Sequence, residues 1–202
     1  MTAKVVLATR NAHKVDELRR ILREAGADVE LVGVEAFDDV PEVAETGATF
    51  AENALLKAHA VAASTGLPAV ADDSGLCVDV LGGMPGVFSA RWSGRHGDDV
   101  ANLQLVLAQL SDVPGDRRSA HFACAAALAL PHGVELVAEG RVDGVLIGTP
   151  RGSNGFGYDP IFVPDGDQRT TAEMTAAEKD AISHRGRAFR ALGDAIRDLV
   201  QA

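Results

Sequence analysis

The stretch Ala69-Val70-Ala71-Asp72-Asp73-Ser74-Gly75 constrains the fold of this chain more than any other. Pro68 cannot continue a helix, so Ala69 to Ala71 are predicted to form a short buried strand. This strand would deliver Asp72 and Asp73 to the carboxyl edge of a sheet, where α/β proteins collect ligands. Two adjacent acids must then face water, a cation or a divalent metal. The alternative is a solvated turn, which Asp-Asp-Ser-Gly also favours.

Composition narrows the class of protein. The 202 residues are 47% hydrophobic and 24% charged, which is ordinary for one globular domain. A net charge of −10 argues against binding to nucleic acid or to a membrane surface. Cys77 and Cys124 lie in apolar runs and are interpreted as core residues. With no signal peptide or bilayer-length apolar run in the sequence, we expect a reducing, cytoplasmic location.

The N-terminal segment predicts a strand, a turn and a helix. Residues 4–9 form a β-branched apolar run, and the helix that follows has an apolar face ending before Gly26. Thr9, Asn11 and Lys14 lie at or near the helix N-terminus, where free N–H groups and the helix dipole favour an anion. A plain helix cap is the alternative for Thr9 or Asn11.

A second helix is predicted from the capping box Thr49-Phe50-Ala51-Glu52 to Gly66. Asn53 and Lys57 are one turn apart and share a face of this helix. Lys57 would reach a phosphate there, or else remain a solvated surface charge. Glu45 precedes the helix and would join Asp73 at a metal ion.

The second half of the chain changes character. Residues 119–130 and 134–147 are predicted to be long antiparallel strands, which could form a second lobe. A glycine-rich loop follows, in which Phe156 would stack on a flat ligand. A further capping box at Thr175 opens a short helix beside Lys179, Ser183, His184 and Arg185. The alternative for the Phe156 loop is an ordinary glycine loop with a core Phe, and the alternative for His184 is a structural histidine.

Taken together, these motifs resemble the inosine triphosphate pyrophosphatase family. The resemblance covers residues 3–199, with the motifs in the family's order: Thr9 to Lys14, Glu45-Thr46-Gly47, Asp72 to Gly75, Gly155 to Pro160 and Ser183 to Gly186. It implies an α/β fold, with an elongated mixed sheet flanked by helices and two lobes around a central cleft, related to the Maf-type pyrophosphatases. Residues 1–202 would form a single two-lobed domain. Arg10 departs from the Gly or Ser common in bacterial members.

The resemblance also implies an activity. Members hydrolyse the purine nucleotides ITP, dITP and XTP to the monophosphate and pyrophosphate, with Mg²⁺ and as a homodimer. Asp73 would be the catalytic proton acceptor, and Asp73 and Glu45 the metal ligands. Positions that match substrate-binding residues are Thr9, Arg10, Asn11, Ala12, His13, Lys14, Lys57, Ser74, Phe156, Gly157, Tyr158, Asp159, Lys179, His184 and Arg185.

Selectivity is expected to come from His184 and Arg185, as donors to the 6-oxo group of the base. Two other functions stay open. One is a Maf-type pyrophosphatase acting on other nucleotides, and the other is a nucleotide-binding sensor without catalysis.

Overall fold

The computed structural model describes residues 3–9, 12–24, 26, 29–37 and 40–201. The helices are α1 (Ala12–Glu24), α2 (Phe50–Thr65), α3 (Asp99–Gln109), α4 (Ala176–Ile182) and α5 (His184–Gln201). The strands are β1 (Ala3–Leu7), β2 (Val29–Gly33), β3 (Ala69–Val78), β4 (Met84–Pro85), β5 (Ser119–Ala129), β6 (Glu135–Leu146) and β7 (Phe162–Pro164).

The strands form one mixed sheet in the order β2-β1-β3-β5-β6-β7, with β4 paired to β3. β1 pairs parallel with β2 and β3, whereas β4 and β7 pair antiparallel with their neighbours. Hydrogen bonds from Leu130 N to Val134 O and from Leu146 N to Arg118 O make β5 and β6 antiparallel. The predicted α/β fold with a mixed sheet flanked by helices is confirmed.

The chain divides into two compact units. The first comprises Met1–Asp73, Cys124–Gly140 and Arg185–Ala202, and the second comprises Ser74–Ala123 and Arg141–His184. β3, β5 and β6 each run from one unit into the other. No helix in the described ranges is both long enough and apolar enough to cross a membrane.

The first unit has apolar layers on both faces of its strands, because successive strand residues point to opposite faces. Val5, Leu7 and Val70 pack on one face in a cluster with side chains of α1 and α5. Val6 and Ala71 pack on the other face in a cluster with α2. The small alanines of α2 and β5 allow that helix to lie close to the sheet.

The second unit is built around α3. Leu103 and Val106 of this helix, and Leu110 directly after it, are buried against a cluster that includes Leu76 and Phe162 from the strands. Asp98 caps α3 by accepting a hydrogen bond from Ala101 N. The capping box predicted at Thr175 before α4 is confirmed as well.

The strand predicted to begin at Ala69 is present, but its predicted end at Ala71 was wrong. β3 runs for ten residues to Val78, so the acidic stretch lies inside a strand and forms no turn. One reason is Gly75, where a Cβ atom would lie 2.3 Å from Ser89 Oγ and 2.4 Å from Gly86 O. Because Gly75 has no side chain, the segment from Gly86 to Ser89 can pack directly against β3. Ser89 Oγ accepts a hydrogen bond from Leu76 N of this strand.

Candidate active site

The two adjacent aspartates point to opposite faces of the sheet. Asp72 follows the alternation of Val70 and faces α1 and α5, whereas Asp73 follows Ala71 and faces α2. Both carboxylates are buried, with 3% of Asp72 and 7% of Asp73 exposed. The repulsion expected between neighbouring acids is reduced because each carboxylate has its own set of cationic or amide partners.

Asp73 lies among polar side chains of α2. Asn53 Nδ2 donates to Asp73 Oδ2 at 3.0 Å, and Lys57 Nζ lies 3.5 Å from Asp73 Oδ1. The same ammonium donates to Glu45 Oε1 at 2.7 Å. The predicted shared face of Asn53 and Lys57 is therefore present, and it brings Glu45 and Asp73 to a single cation.

The loop before α2 places Glu45. Gly47 N donates to Asn53 Oδ1 at 2.8 Å, so Asn53 holds both this loop and Asp73. A Cβ atom on Gly47 would lie 2.6 Å from Glu52 Cβ, which explains the glycine. Thr49 caps α2 by accepting from Glu52 N, while Glu52 accepts from Ala48 N.

The electrostatics of this cluster favour a proton acceptor. Burial raises the pKa of Asp73, and the nearby Glu45 raises it further, whereas Lys57 and Asn53 oppose the rise. Burial lowers the pKa of Lys57, but Asp73, Asp72 and Glu45 outweigh it and the net pKa is raised. Lys57 therefore stays charged, and Asp73 is a stronger base than an ordinary carboxylate.

Asp72 has a different set of partners. Lys14 Nζ and Arg185 Nε both donate to Asp72 Oδ2, at 3.0 and 3.1 Å. Arg185 Nη1 donates to Glu17 Oε2 at 2.7 Å. Burial raises the pKa of Asp72, but Lys14 and Arg185 outweigh it and hold the pKa well below its usual range. Asp72 therefore stays ionised and is a poor proton acceptor.

Arg185 is buried among carboxylates. It is 1% exposed, and its Nε and Nη1 atoms donate to Asp72 and Glu17. Its role as a donor to the base stays a prediction.

The first phosphate motif is described in part. Thr9 follows β1 and is partly exposed, at the end of the strand where Ala8 N donates to Val70 O of β3. Lys14 lies in the first turn of α1 and is also partly exposed. The predicted residues Arg10 and Asn11 lie outside the described residues, as do the side chains of Ala12 and His13.

In the second unit, Asp159 organises the aromatic loop. Its Oδ2 atom accepts from Phe156 N at 2.9 Å and from Lys179 Nζ, and its Oδ1 atom accepts from Thr171 Oγ1 at 2.8 Å. Lys179 Nζ lies 5.2 Å from the centre of the partly exposed Phe156 ring. Gly155, at φ 75°, leaves room for Asp159, because a Cβ atom there would lie 2.1 Å from Asp159 Oδ2.

Two further contacts hold this loop. Gly157 N donates to Asp99 Oδ2 at the start of α3, and Tyr158 Oη donates to Ser89 O, both at 2.9 Å. Tyr158 is buried, and burial with the nearby Asp99 raises its pKa. Tyr158 and Asp159 therefore face the protein interior, and Phe156 and Gly157 are the more exposed residues of the loop.

The remaining predicted residues lie in the second unit. His184 is buried, with its ring stacked on Phe122 at 4.9 Å and 12° between the planes. The predicted contact of His184 with the substrate stays a prediction. Ser74 is partly exposed within β3.

A divalent metal fits the carboxylates near α2. Mg²⁺ binds proteins through one or two carboxylates together with substrate phosphates. Glu45 and Asp73 contact one ammonium, so both carboxylates are close enough to share a cation. A group of three or more His, Cys, Asp and Glu side chains suited to a metal is absent from the described part of the chain.

Sequence reasoning missed three residues that support these clusters. Glu17 lies one helical turn after Lys14, a spacing that could have identified it. Asp99 and Thr171 are distant in sequence from the aromatic loop that they hold, and no local pattern indicates them.

Comparison with known proteins covers nearly the whole chain. The model of the Ham1 family matches residues 5–195. A dITP/XTP pyrophosphatase of Streptomyces avermitilis is 66% identical over 197 residues, covering 98% of each chain. One of Streptomyces coelicolor is 64% identical over 197 residues, with the same coverage.

Solved structures agree with these sequence matches. The nucleoside-triphosphatase / dITP/XTP pyrophosphatase of Mycobacterium abscessus is 58% identical, with a TM-score of 0.77, and the match covers 94% of this chain and 98% of that one. A HAM1 protein from Coxiella burnetii is 42% identical with a TM-score of 0.88, covering 98% and 100%. The family predicted from the motifs is thereby confirmed, whereas the relation to Maf-type pyrophosphatases stays a prediction.

Proposed function

The chain belongs to the Ham1 family, and from this premise we propose that it hydrolyses the non-canonical purine nucleotides dITP, XTP and ITP. Water attacks the α-phosphorus, the bond to the α,β-bridging oxygen breaks, and the products are the monophosphate and pyrophosphate. The reaction removes abnormal purines from the nucleotide pool. The relatives named dITP/XTP pyrophosphatase, up to 66% identical, support this substrate class.

The observation that carries the proposal is the cluster of Asp73, Glu45, Asn53 and Lys57. Asp73 is a buried carboxylate in contact with Asn53 and Lys57, so it is placed to accept the proton of the attacking water. Asn53 holds the carboxylate by its Oδ2 atom and so fixes the direction of the accepting oxygen. A nucleotide-binding sensor would not need this arrangement.

We assign the binding of the substrate phosphates to cationic side chains and to backbone N–H groups. Lys14 is partly exposed in the first turn of α1, where the N–H groups of the helix start also favour an anion. Lys57 adds a second positive charge beside Asp73. The partly exposed Phe156 ring is assigned to stacking on the purine.

We assign Mg²⁺ to Glu45 and Asp73. When bound, it would offset negative charge on the phosphates and fix their position. The protein residues keep separate tasks. Asp73 accepts the proton. Lys57 limits the repulsion between Glu45 and Asp73 while no Mg²⁺ is bound.

The first experiment measures pyrophosphate release from ITP, dITP, XTP, ATP and GTP, with Mg²⁺ and with EDTA. We expect release from the first three nucleotides with Mg²⁺ only. Release of orthophosphate instead would contradict the proposal, as would equal rates with ATP. In ¹⁸O-labelled water, the label should appear in the monophosphate.

Two other assignments are also proposals. A homodimer rests on the family resemblance, and a mass of about 21 kDa in light scattering would contradict it. A cytoplasmic location is supported by Cys77 and Cys124, which are both buried as free thiols.

A further inference from the structure

The turn that carries the Phe156 ring is closed by local contacts. Phe156 N donates to Asp159 Oδ2 at 2.9 Å, and Asp159 N donates to Phe156 O at 3.3 Å. The second half of the turn is attached to neighbouring segments, because Thr171 Oγ1 donates to Asp159 Oδ1 and Tyr158 Oη donates to Ser89 O. These contacts fix the turn at Tyr158 and Asp159, on the side away from the ring.

The peptide group directly after the ring is held by a separate contact. Gly157 N donates at 2.9 Å to Asp99 Oδ2, on the first residue of α3. Gly157 has a φ of 61°, and a glycine that nothing holds adopts many other backbone conformations. A carboxylate forms stronger hydrogen bonds than a neutral acceptor, and the start of a helix favours its negative charge. Asp99 therefore fixes the direction of the backbone that follows Phe156.

The orientation of the Phe156 ring depends on this backbone direction. The ring is partly exposed, and Lys179 Nζ lies over it at 5.2 Å from the ring centre. Stacking on a flat ligand requires a defined angle and offset between the two planes. Rotation of the peptide group between Phe156 and Gly157 would change that angle, even with the rest of the turn in place.

We propose that Asp99 is a positioning residue for the purine base, which acts through Gly157 N to orient the ring of Phe156. The inference rests on the proposed function, because it takes Phe156 as the stacking partner of the base. Asp99 acts on the affinity for every purine nucleotide. It leaves the binding of phosphates and the choice among purines unchanged.

The test compares substitutions of Asp99. Asp99→Ala removes the acceptor for Gly157 N, whereas Asp99→Asn keeps an oxygen acceptor on a side chain of the same length. Binding of ITP and of inorganic tripolyphosphate is measured by calorimetry in buffer with EDTA, where we expect no hydrolysis. Asp99→Ala should weaken ITP binding by about three- to tenfold, the range for one hydrogen bond, and leave tripolyphosphate binding unchanged. Asp99→Asn should change ITP binding by less than about twofold.

Asp98→Ala is the matched control. Asp98 carries the same charge at the same helix start, and it caps α3 by accepting from Ala101 N. Its replacement should lower the melting temperature, because the cap is lost. ITP binding should stay unchanged, since Gly157 N keeps its contact with Asp99.

Two further measurements separate positioning from a structural role. In the Phe156→Ala background, Asp99→Ala should have no further effect on ITP binding, because no ring is left to orient. With Mg²⁺ and ITP as substrate, Asp99→Ala should raise KM while kcat changes by less than about twofold. The ratio of kcat/KM for ITP to that for ATP should stay the same, since stacking serves both purines.

Thermal unfolding establishes that each variant is folded. Asp99→Glu keeps the charge but moves the acceptor by one methylene group, and it takes the place of Asp99→Ala if that variant does not fold.

Three results would overturn the inference. The first is unchanged ITP binding in Asp99→Ala, and the second is an equal loss of ITP binding in Asp98→Ala. The third is a loss of tripolyphosphate binding as large as the loss of ITP binding, since Asp99 would then act on the phosphates or on the fold. Because binding is measured without hydrolysis, a wild-type protein that binds ITP but releases no pyrophosphate would contradict the proposed function alone.

Discussion

At the scale of single residues, Asp72 and Asp73 acquire opposite properties from their partners. Asp72 shares one oxygen between Lys14 and Arg185, and its pKa is lowered despite burial. Asp73 has a more distant ammonium at 3.5 Å, and burial raises its pKa. The first carboxylate is therefore suited to placing a cation, and the second to accepting a proton.

Replacing Asp73 tests its role as the base. Asp73→Asn should lower kcat for ITP by roughly 10² to 10⁴, because an amide cannot accept the proton of water. Nucleotide binding should stay measurable, since Lys14 and Lys57 are retained. A variant with more than half of the wild-type kcat would contradict the assignment.

The same substitution should raise thermal stability at pH 7. An acid whose pKa is raised on folding stabilises the folded state at pH values below its unfolded pKa. This stabilisation is lost as the pH rises through the pKa of the folded state. At pH 7 the buried charge is therefore a cost, which the amide removes. Lys57 keeps Glu45 as a partner in the variant.

Thermal unfolding of both proteins at pH 7 and near pH 4 checks this expectation. The advantage of Asp73→Asn should shrink as the pH falls. A lower melting temperature for the variant at pH 7 would show that the charge of Asp73 stabilises the fold.

Lys14→Ala should affect binding more than turnover. A hydrogen bond to a charged group contributes about 1.5 to 3 kcal/mol, so KM for ITP should rise by roughly ten- to a hundredfold. Lys4→Ala is the control, because Lys4 is a largely exposed lysine paired with Glu30. An unchanged KM in Lys14→Ala would remove Lys14 from the phosphate site.

The contacts of single residues could be predicted from the sequence only in part. The spacing of Asn53 and Lys57 predicted their shared face, because helical periodicity is local. The partners of Arg185 could not be predicted, since Glu17 and Asp72 are 168 and 113 residues away in sequence. Such contacts depend on how distant elements pack, which no local pattern records.

At the scale of elements, β3 carries the acidic stretch inside a continuous strand. Turn-forming residues predicted an end after Ala71, but β3 continues to Val78 with paired and buried neighbours. Tertiary packing thus outweighs the local preference of Asp-Asp-Ser-Gly for a turn. The strand needs Gly75 because the loop at Ser89 lies directly against it.

Gly75→Ala should therefore destabilise the protein. Its Cβ atom would lie 2.3 Å from Ser89 Oγ, and forcing an extra methyl group into a packed site costs about 1 to 3 kcal/mol. Gly115→Ala is the matched control, because its Cβ atom would have no heavy atom within 4 Å. Urea unfolding should show a loss for the first variant and little change for the second. Equal stabilities would mean that the loop at Ser89 moves away without cost.

At the scale of the whole molecule, the fold class was predictable because the family motifs extend along nearly the entire chain. Strand and helix patterns also predicted the long strands β5 and β6 and the cap of α4. The positions of the boundaries between the two units, inside β3, β5 and β6, were not predictable. A strand has the same periodicity on either side of such a boundary.

Despite this division, we expect the protein to unfold in a single transition. β3, β5 and β6 each continue through a unit boundary, so unfolding one unit would fray three strands of the other. Trp92 is the only tryptophan and packs in the second unit, so its fluorescence reports on that unit. Helices α1, α2 and most of α5 lie in the first unit and dominate the far-ultraviolet circular dichroism.

In urea, the two signals should therefore give the same midpoint and the same free energy of unfolding. Gly75→Ala should shift both midpoints by the same amount, although Gly75 itself belongs to the second unit. If the fluorescence midpoint moved alone, or if the two midpoints already differed in the wild-type protein, the units would be separate folding domains. The prediction of a single domain over residues 1–202 would then be wrong.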